Sequence, residues 1–169
     1  MTPMQVREYL RYNWIYMGGT TRTGGQVKQT GEVFTPSILA QEMVEQFPED
    51  YVKNNTFKDT SCGDGQLLSE ILIKKIELGI PYEIAITQVI GCDIMSINVE
   101  LCRKRLSCEN SKYLEILTNN IIIGNALDCI TSVENQTDQD QLRMIELFGG
   151  DYEALIEKIH AQPILPTTV

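Results

Sequence analysis

The spacing of apolar residues along the chain predicts several helices and, between them, short strands. Near the start, apolar positions recur at almost helical intervals over residues 2–16, which predicts a short amphipathic helix. A second helix is predicted over residues 37–48, because Thr35-Pro36-Ser37 is a helix-start signal and Pro48 would end the helix. Both helices precede the part of the chain in which strands are predicted.

From residue 57 onwards the pattern alternates between strand and helix. Strands are predicted at residues 57–62, 88–93 and 120–123, and helices at residues 65–78 and 96–106. The third strand is apolar on both faces, as expected of a buried parallel strand. Helical connections of this length join parallel strands. The sequence therefore predicts an α/β protein with a three-stranded parallel sheet and flanking helices.

The two ends of the chain differ from this alternating region. Residues 18–25 contain four glycines and three threonines, a composition that disfavours a helix and predicts a loop or arm. Residues 131–141 are polar and acidic, and helical spacing returns at residues 142–147 and 152–160. We therefore divide the chain into an N-terminal helix and glycine/threonine-rich arm (1–30), a core (31–130) and an acidic C-terminal helical segment (131–169).

Composition narrows the class of protein. The chain is 43% hydrophobic and 22% charged, which is typical of a soluble domain with a sizeable core. No apolar run approaches the roughly 18 residues of a membrane span, and the start lacks a secretory signal pattern, so a cytoplasmic location is expected. Five cysteines without a Cys-x-x-Cys pair, and a single histidine, do not form a zinc-binding pattern. We therefore expect reduced structural thiols and no metal.

Charge limits how the chain can contact nucleic acid. The formal net charge of -9 argues against binding over the whole surface. The first 31 residues contain four basic residues and one acidic residue, so any contact with a polyanion is expected there. A solvated surface is the simpler interpretation of so few charges.

The first predicted strand leads into a glycine-containing turn, with the sequence DTSCGDG at residues 59–65. Two glycines let the backbone turn sharply and approach a ligand, and the free N–H groups at the start of the next helix favour polar or anionic groups. The stretch is not the dinucleotide fingerprint, because Leu68 stands where the third glycine would be. It is not a phosphate loop either, because no Gly-Lys-Ser/Thr follows.

The other two predicted strands also end in polar residues, namely Asp93 and Gly124-Asn125. Ligands of parallel sheets bind beyond the carboxyl ends of the strands, so the three strand ends should surround one crevice. In a nucleotide-binding fold, Asp93 would accept hydrogen bonds from ribose hydroxyls and the apolar Ile94 would cover the base. Alternatively, Asp93 caps the helix that follows it. Both roles remain open at this point.

Taken together, four stretches resemble the ordered cofactor-binding motifs of the S-adenosylmethionine-dependent adenine-N6 DNA methyltransferases. They are GEVFTP at residues 31–36, DTSCGDGQLL at 59–68, GCDI at 91–94 and GNAL at 124–127. The resemblance is greatest to the amino-methylases associated with type I restriction-modification. It covers residues 31–128 and implies a partial Rossmann-like methyltransferase fold that binds S-adenosylmethionine.

The resemblance implies a role for ten residues. It places Phe34, Thr35 and Pro36 against the methionine part of the cofactor, and Asp59, Cys62, Gly63 and Gly65 around its middle. It places Asp93 on the ribose hydroxyls, Ile94 on the adenine face and Asn125 near the adenine amino group. For Phe34 the alternative is a core aromatic residue that precedes a helix.

One motif of the family has no counterpart in this sequence. The Asn/Asp-Pro-Pro-Tyr/Phe tetrapeptide, which would hold a flipped adenine, is absent, as are the later strands of the methyltransferase sheet. The resemblance thus implies the cofactor-binding half of a DNA adenine-N6 methyltransferase that needs a partner for the target-base site. The alternative is a catalytically inactive module with a regulatory or assembly role.

The missing strands also predict an association. They leave one edge of the first strand unpaired, so we expect a homodimer or a partner chain to cover that edge. We expect contact with DNA only through a partner.

Overall fold

The computed structural model describes residues 1–12 and 35–125. Within them the chain is an α/β protein with a three-stranded parallel sheet and flanking helices, as the hydrophobic pattern predicted. Phe34, the predicted arm and the predicted helices at residues 142–147 and 152–160 lie outside the described residues.

The predicted helices and strands of the described residues occur in the predicted order, with further helices between them. Three helices, α1 (Pro3–Tyr12), α2 (Ser37–Glu45) and α3 (Glu49–Asn54), precede strand β1 (Phe57–Asp59). Helix α4 (Gln66–Glu77), the short helix α5 (Tyr82–Ala85) and a 3-10 turn (Ile86–Gln88) connect β1 to strand β2 (Val89–Asp93). Helices α6 (Ser96–Ser107) and α7 (Ser111–Asn120) then lead to strand β3 (Ile121–Ile123).

Three short helices, α3, α5 and α7, were not predicted. Pro48, which was expected only to end a helix, is the N-cap residue of α3, and Pro81 has the same position in α5. The N-cap residue of α7 is Asn110, whose side-chain oxygen accepts the backbone N–H groups of Lys112 and Tyr113 at 2.9 and 3.4 Å. The asparagine cap is therefore a local helix-start signal that apolar periodicity alone does not reveal.

The sheet has the strand order β1-β2-β3, and both pairings are parallel. Strand β1 is shorter than predicted because the Asp59 side chain accepts the Ser61 N–H at 3.0 Å, which turns the chain out of the ladder. The prediction that β3 is buried on both faces is wrong for Ile123, which is 57% exposed. Ile123 ends a strand that pairs on one side within the described sheet, so less of its side chain is covered.

The hydrophobic core lies between the sheet and helices α1, α4 and α6. It includes Leu68, Ile71, Leu72, Val99, Leu106 and Ile121, all of which are almost completely buried. Helix α1 belongs to this core, because Val6 and Leu10 are buried in it. Among the residues that the structure describes, no helix is both long enough and apolar enough to cross a membrane.

A buried lysine anchors the C-terminal end of α4. Lys75 Nζ donates hydrogen bonds to the carbonyl oxygens of Val52 and Asn55, at 2.6 and 2.8 Å, and to Gln88 Oε1 at 2.8 Å. Burial lowers the pKa of Lys75 to about 8. These bonds join α4 to the residues that precede β1 and β2, so the positions of both strands depend on one side chain.

Candidate functional site

The carboxyl ends of the three strands meet at Asp93, the last residue of the central strand. The backbone N–H of Gly63, in the turn after β1, donates to Asp93 Oδ2 at 3.0 Å. The N–H of Gly124, just after β3, donates to the Asp93 carbonyl oxygen at 3.0 Å. Cys62 N–H donates to the Cys92 carbonyl oxygen at 2.9 Å. The loops after β1 and β3 are therefore both attached to the end of β2.

The Asp93 carboxylate has a structural role in this arrangement. It is only 8% exposed, and besides the Gly63 N–H it accepts the Met95 N–H at 2.8 Å and Asn98 Nδ2 at 3.1 Å through Oδ1. The alternative that Asp93 is the N-cap of the following helix is wrong, because Met95 is the N-cap residue of α6, and the Asp93 carboxylate instead closes a turn just before the helix. A carboxylate has about four acceptor positions, and three are used here. Among the described residues no fourth donor reaches this carboxylate.

The glycine turn after β1 has a backbone conformation that few other residues adopt. Gly63 and Gly65 have φ values of 53° and 83°. Gly65 is the N-cap residue of α4, and no side chain of the described residues caps that helix. The first backbone N–H groups of α4 thus have no side-chain acceptor, which leaves them available to a polar ligand group.

Two glycines near the strand ends also allow close packing. A Cβ on Gly65 would lie 2.7 Å from Cys102 Sγ on α6. A Cβ on Gly91, in the middle of β2, would lie 2.9 Å from Cys62 Sγ and 2.9 Å from Ile121 Cδ1. The sequence analysis gave Gly91 no role, because its importance depends on the strands and the turn that surround it.

A second carboxyl group lies close to Asp93. Burial raises the pKa of Asp59, the hydrogen bond from the Ser61 N–H lowers it, and the nearby charge of Asp93 raises it again, with a net rise. Asp59 ends β1 and is thus paired opposite Gly91 in the neighbouring strand. The two acids therefore give the strand ends a negative local charge that favours hydrogen-bond donors of a ligand.

The remaining predicted site residues differ in where they lie. Ile94 is 73% exposed beside Asp93. Asn125 is exposed just after β3. Thr35 and Pro36 lie at the start of α2, which packs against α4. The structure thus brings seven of the ten predicted residues to the strand ends, and places Thr35 and Pro36 just before α2, the helix that neighbours α4.

The cysteines partly follow the expectation of reduced thiols. Cys62, Cys102 and Cys108 are free and buried. A hydrogen bond with Cys62 and burial raise the pKa of Cys102 well above its usual value, so Cys102 remains a protonated thiol between the turn and α6. The expectation is wrong for Cys92, which is disulfide-bonded. Spacing in the sequence could not reveal this, because a disulfide depends on which residues are close in the fold.

Arg105 on α6 contacts the glycine turn and was missed by the sequence analysis. Its Nη1 lies 3.3 Å from Asp64 Oδ2, and its Nη2 lies 2.8 Å from Gln66 Oε1. The side chain is almost completely buried. A signal was present in the sequence, since Arg105 follows Cys102 by three residues and so lies on the apolar side of the predicted helix.

The described site is composed of backbone N–H groups, carboxylates and an exposed apolar side chain. Residues 1–12 and 35–125 contain no group of three or more histidine, cysteine or acidic side chains arranged to hold a metal ion. No family model, no curated protein and no solved structure matches the chain.

Proposed function

We propose that this chain is the S-adenosylmethionine-binding half of a DNA adenine-N6 methyltransferase, located in the cytoplasm, and that a partner supplies the target-base site. The observation that supports this most directly is the glycine turn, in which Gly63 and Gly65 at positive φ lead into the uncapped start of α4, beside Asp93. When bound, S-adenosylmethionine supplies an activated methyl group on its sulfonium. The residues of this chain bind and orient it.

The chemistry of the strand ends suits such a cofactor. The free N–H groups at the start of α4 would donate hydrogen bonds to polar atoms of the ligand, and Asp93 has an acceptor position for a ribose hydroxyl. Ile94 offers an exposed apolar surface next to that carboxylate, where an adenine ring can stack. A nucleoside thus finds an acceptor and an apolar contact side by side.

The edge of β1 supports a requirement for a second chain. Within the described sheet β1 pairs with β2 alone, so the N–H and C=O groups on its other side have no strand partner there. Phe47 and Tyr51 stack with ring centroids 5.8 Å apart, and both contact the ring of Phe57 edge-on at the start of β1. Phe47 and Tyr51 are themselves exposed. A homodimer or a partner chain that covers this edge is part of the proposal.

Calorimetric titration with S-adenosylmethionine and S-adenosylhomocysteine tests the proposal. We expect the folded chain to bind both, and Gly63→Val to weaken binding by at least about tenfold, or about 1.4 kcal/mol, because the added side chain occupies ligand space. Gly79→Val is the matched control, since Gly79 also has a positive φ of 84° but has nothing within 4 Å of its Cβ position and lies at the far end of α4.

Two results of that titration would contradict the proposal. The first is the absence of binding to a wild-type chain that is shown to be folded by circular dichroism. The second is an equal affinity of Gly63→Val and Gly79→Val, because the effect would then reflect backbone strain and not the site.

The second candidate function is a catalytically inactive module, and the absence of an Asn/Asp-Pro-Pro-aromatic motif from this sequence favours it. Tritiated S-adenosylmethionine and mixed-sequence DNA separate the two functions. We expect no methyl transfer by the purified chain above a Gly63→Val control, because nothing holds a flipped adenine and a chain of net charge -9 binds duplex weakly. Transfer after addition of host lysate supports the split enzyme, and its absence supports the inactive module.

A further inference from the structure

We propose that Arg105 is a positioning residue that holds the glycine turn in the conformation presenting the start of α4 to a ligand. The guanidinium contacts the turn on both sides of Gly65, through Asp64 Oδ2 at 3.3 Å and Gln66 Oε1 at 2.8 Å. Gln66 is the first residue of α4. One side chain on α6 therefore fixes both the middle of the turn and the first residue of the helix.

The turn needs such a support because of its glycines. A glycine loses more conformational freedom on folding than any other residue, and two of them flank Asp64. Two other bonds hold the ends of the turn. The Gly63 N–H donates to Asp93 Oδ2 at 3.0 Å, and the Gly65 N–H donates to the Cys62 carbonyl oxygen at 2.8 Å. The Asp64 side chain between them is held by Arg105.

Because Arg105 is buried, its guanidinium can pair only with groups that the surrounding protein provides. The Arg105 side chain is 1% exposed, and its Nε has no hydrogen-bond partner among the described residues, so the charge depends on the groups that the fold provides. Asp64 is the acid paired with it. A planar guanidinium reaches Asp64 and Gln66 at once through separate nitrogens, whereas a lysine ammonium on a flexible stem would not keep the same two contacts in a fixed geometry.

Helix α1 covers the same cluster. The Leu10 carbonyl oxygen faces Arg105 Nη2 at 3.5 Å, and Leu10 itself is fully buried. Glu70, one turn after Gln66 on α4, pairs with Arg11 of α1 at 3.1 Å. The guanidinium thus lies between the turn and α1, away from water, where its hydrogen bonds are stronger than at a surface.

Amide hydrogen exchange tests the positioning role without any ligand. We compare Arg105→Lys and Arg105→Met with Arg103→Met, a control on the same helix whose guanidinium binds the carbonyl oxygens of Ile121 and Thr118 at 2.8 and 2.9 Å, away from the turn. We expect the Gly63 and Gly65 amides of both Arg105 variants to exchange at least about tenfold faster than those of wild type. This increase should exceed any increase at the β2 amides, which report a general loss of stability. Equal exchange in the Arg103 and Arg105 variants would overturn the proposal.

A second measurement joins this role to cofactor binding, and that part rests on the proposed function. We expect Arg105→Lys to weaken S-adenosylmethionine binding by about tenfold and Arg103→Met to leave it unchanged. If the wild-type chain does not bind, the proposed function fails while the exchange result still decides the role of Arg105. If both Arg105 variants fail to fold, Asp64→Asn removes the paired charge at the turn surface, and unchanged exchange at Gly63 and Gly65 in that variant refutes the role.

Discussion

Gly65→Ala is expected to lower the free energy of unfolding by about 2–5 kcal/mol. A φ of 83° costs a residue with a Cβ about 1–2 kcal/mol. In addition, the new Cβ would lie 2.7 Å from Cys102 Sγ in a closely packed core, and overpacking of this kind costs about 1–3 kcal/mol. Urea denaturation followed by circular dichroism measures the sum.

A double-mutant cycle separates the two contributions. Adding Cys102→Ala to Gly65→Ala removes the Sγ atom that the new Cβ would contact. We therefore expect the double variant to lose less free energy of unfolding than the sum of the two single losses, because the overpacking is relieved while the backbone strain remains. Gly79→Ala is the control for strain alone, because Gly79 has a φ of 84° and open space at its Cβ position. Should Gly65→Ala destabilise no more than Gly79→Ala, close packing of the turn on α6 is not a constraint.

Asp93→Ala is expected to lower the free energy of unfolding by about 3 kcal/mol or more. The variant leaves three donors without their acceptor, namely the N–H groups of Gly63 and Met95 and the side-chain amide of Asn98. A buried donor that loses a charged acceptor costs about 1–3 kcal/mol, reduced where water replaces the carboxylate. Thermal and urea denaturation test this, and Asp93→Asn, which keeps one acceptor oxygen, should have an intermediate stability.

This structural role changes how a binding experiment on Asp93 must be designed. Cofactor affinity should be compared under conditions in which wild type and variant are both fully folded, where we expect Asp93→Ala to lose about 1.5–3 kcal/mol of binding free energy. A folded variant that binds as tightly as wild type would remove Asp93 from the cofactor site. A variant as stable as wild type would show that the three hydrogen bonds contribute nothing net.

Local sequence determined the order and type of the main elements. The apolar spacing at Leu68, Ile71 and Leu72 follows the helical period, and the same residues are buried in α4. The continuous apolar run that ends at Asp93 became the fully buried central strand. Polar strand ends could also be located, since parallel strands joined by helices place their carboxyl ends at one edge of the sheet.

Elements without a strong apolar period were beyond this kind of prediction. Helix α7 buries Tyr113, Ile116 and Leu117, yet its many polar residues weaken the apolar period, and only its asparagine cap signals it in the sequence. Strand β1 ended early because the Asp59 side chain competes with the ladder for the backbone. In both cases hydrogen bonds of a side chain to the backbone, and not hydrophobic spacing, set the boundary.

Only the tertiary structure decided which distant residues act together. Arg105 meets Asp64 across a separation of 41 residues, and Asp93 meets Gly63 across 30. These pairs exist because the register of β1 against β2, and the packing of α6 on the turn, bring residues together that share no local pattern. By itself the sequence identified a polar sheet edge that resembles a cofactor site. The fold determined that the Asp93 carboxylate accepts the Gly63 N–H and that the buried Arg105 contacts the same turn through Asp64 and Gln66.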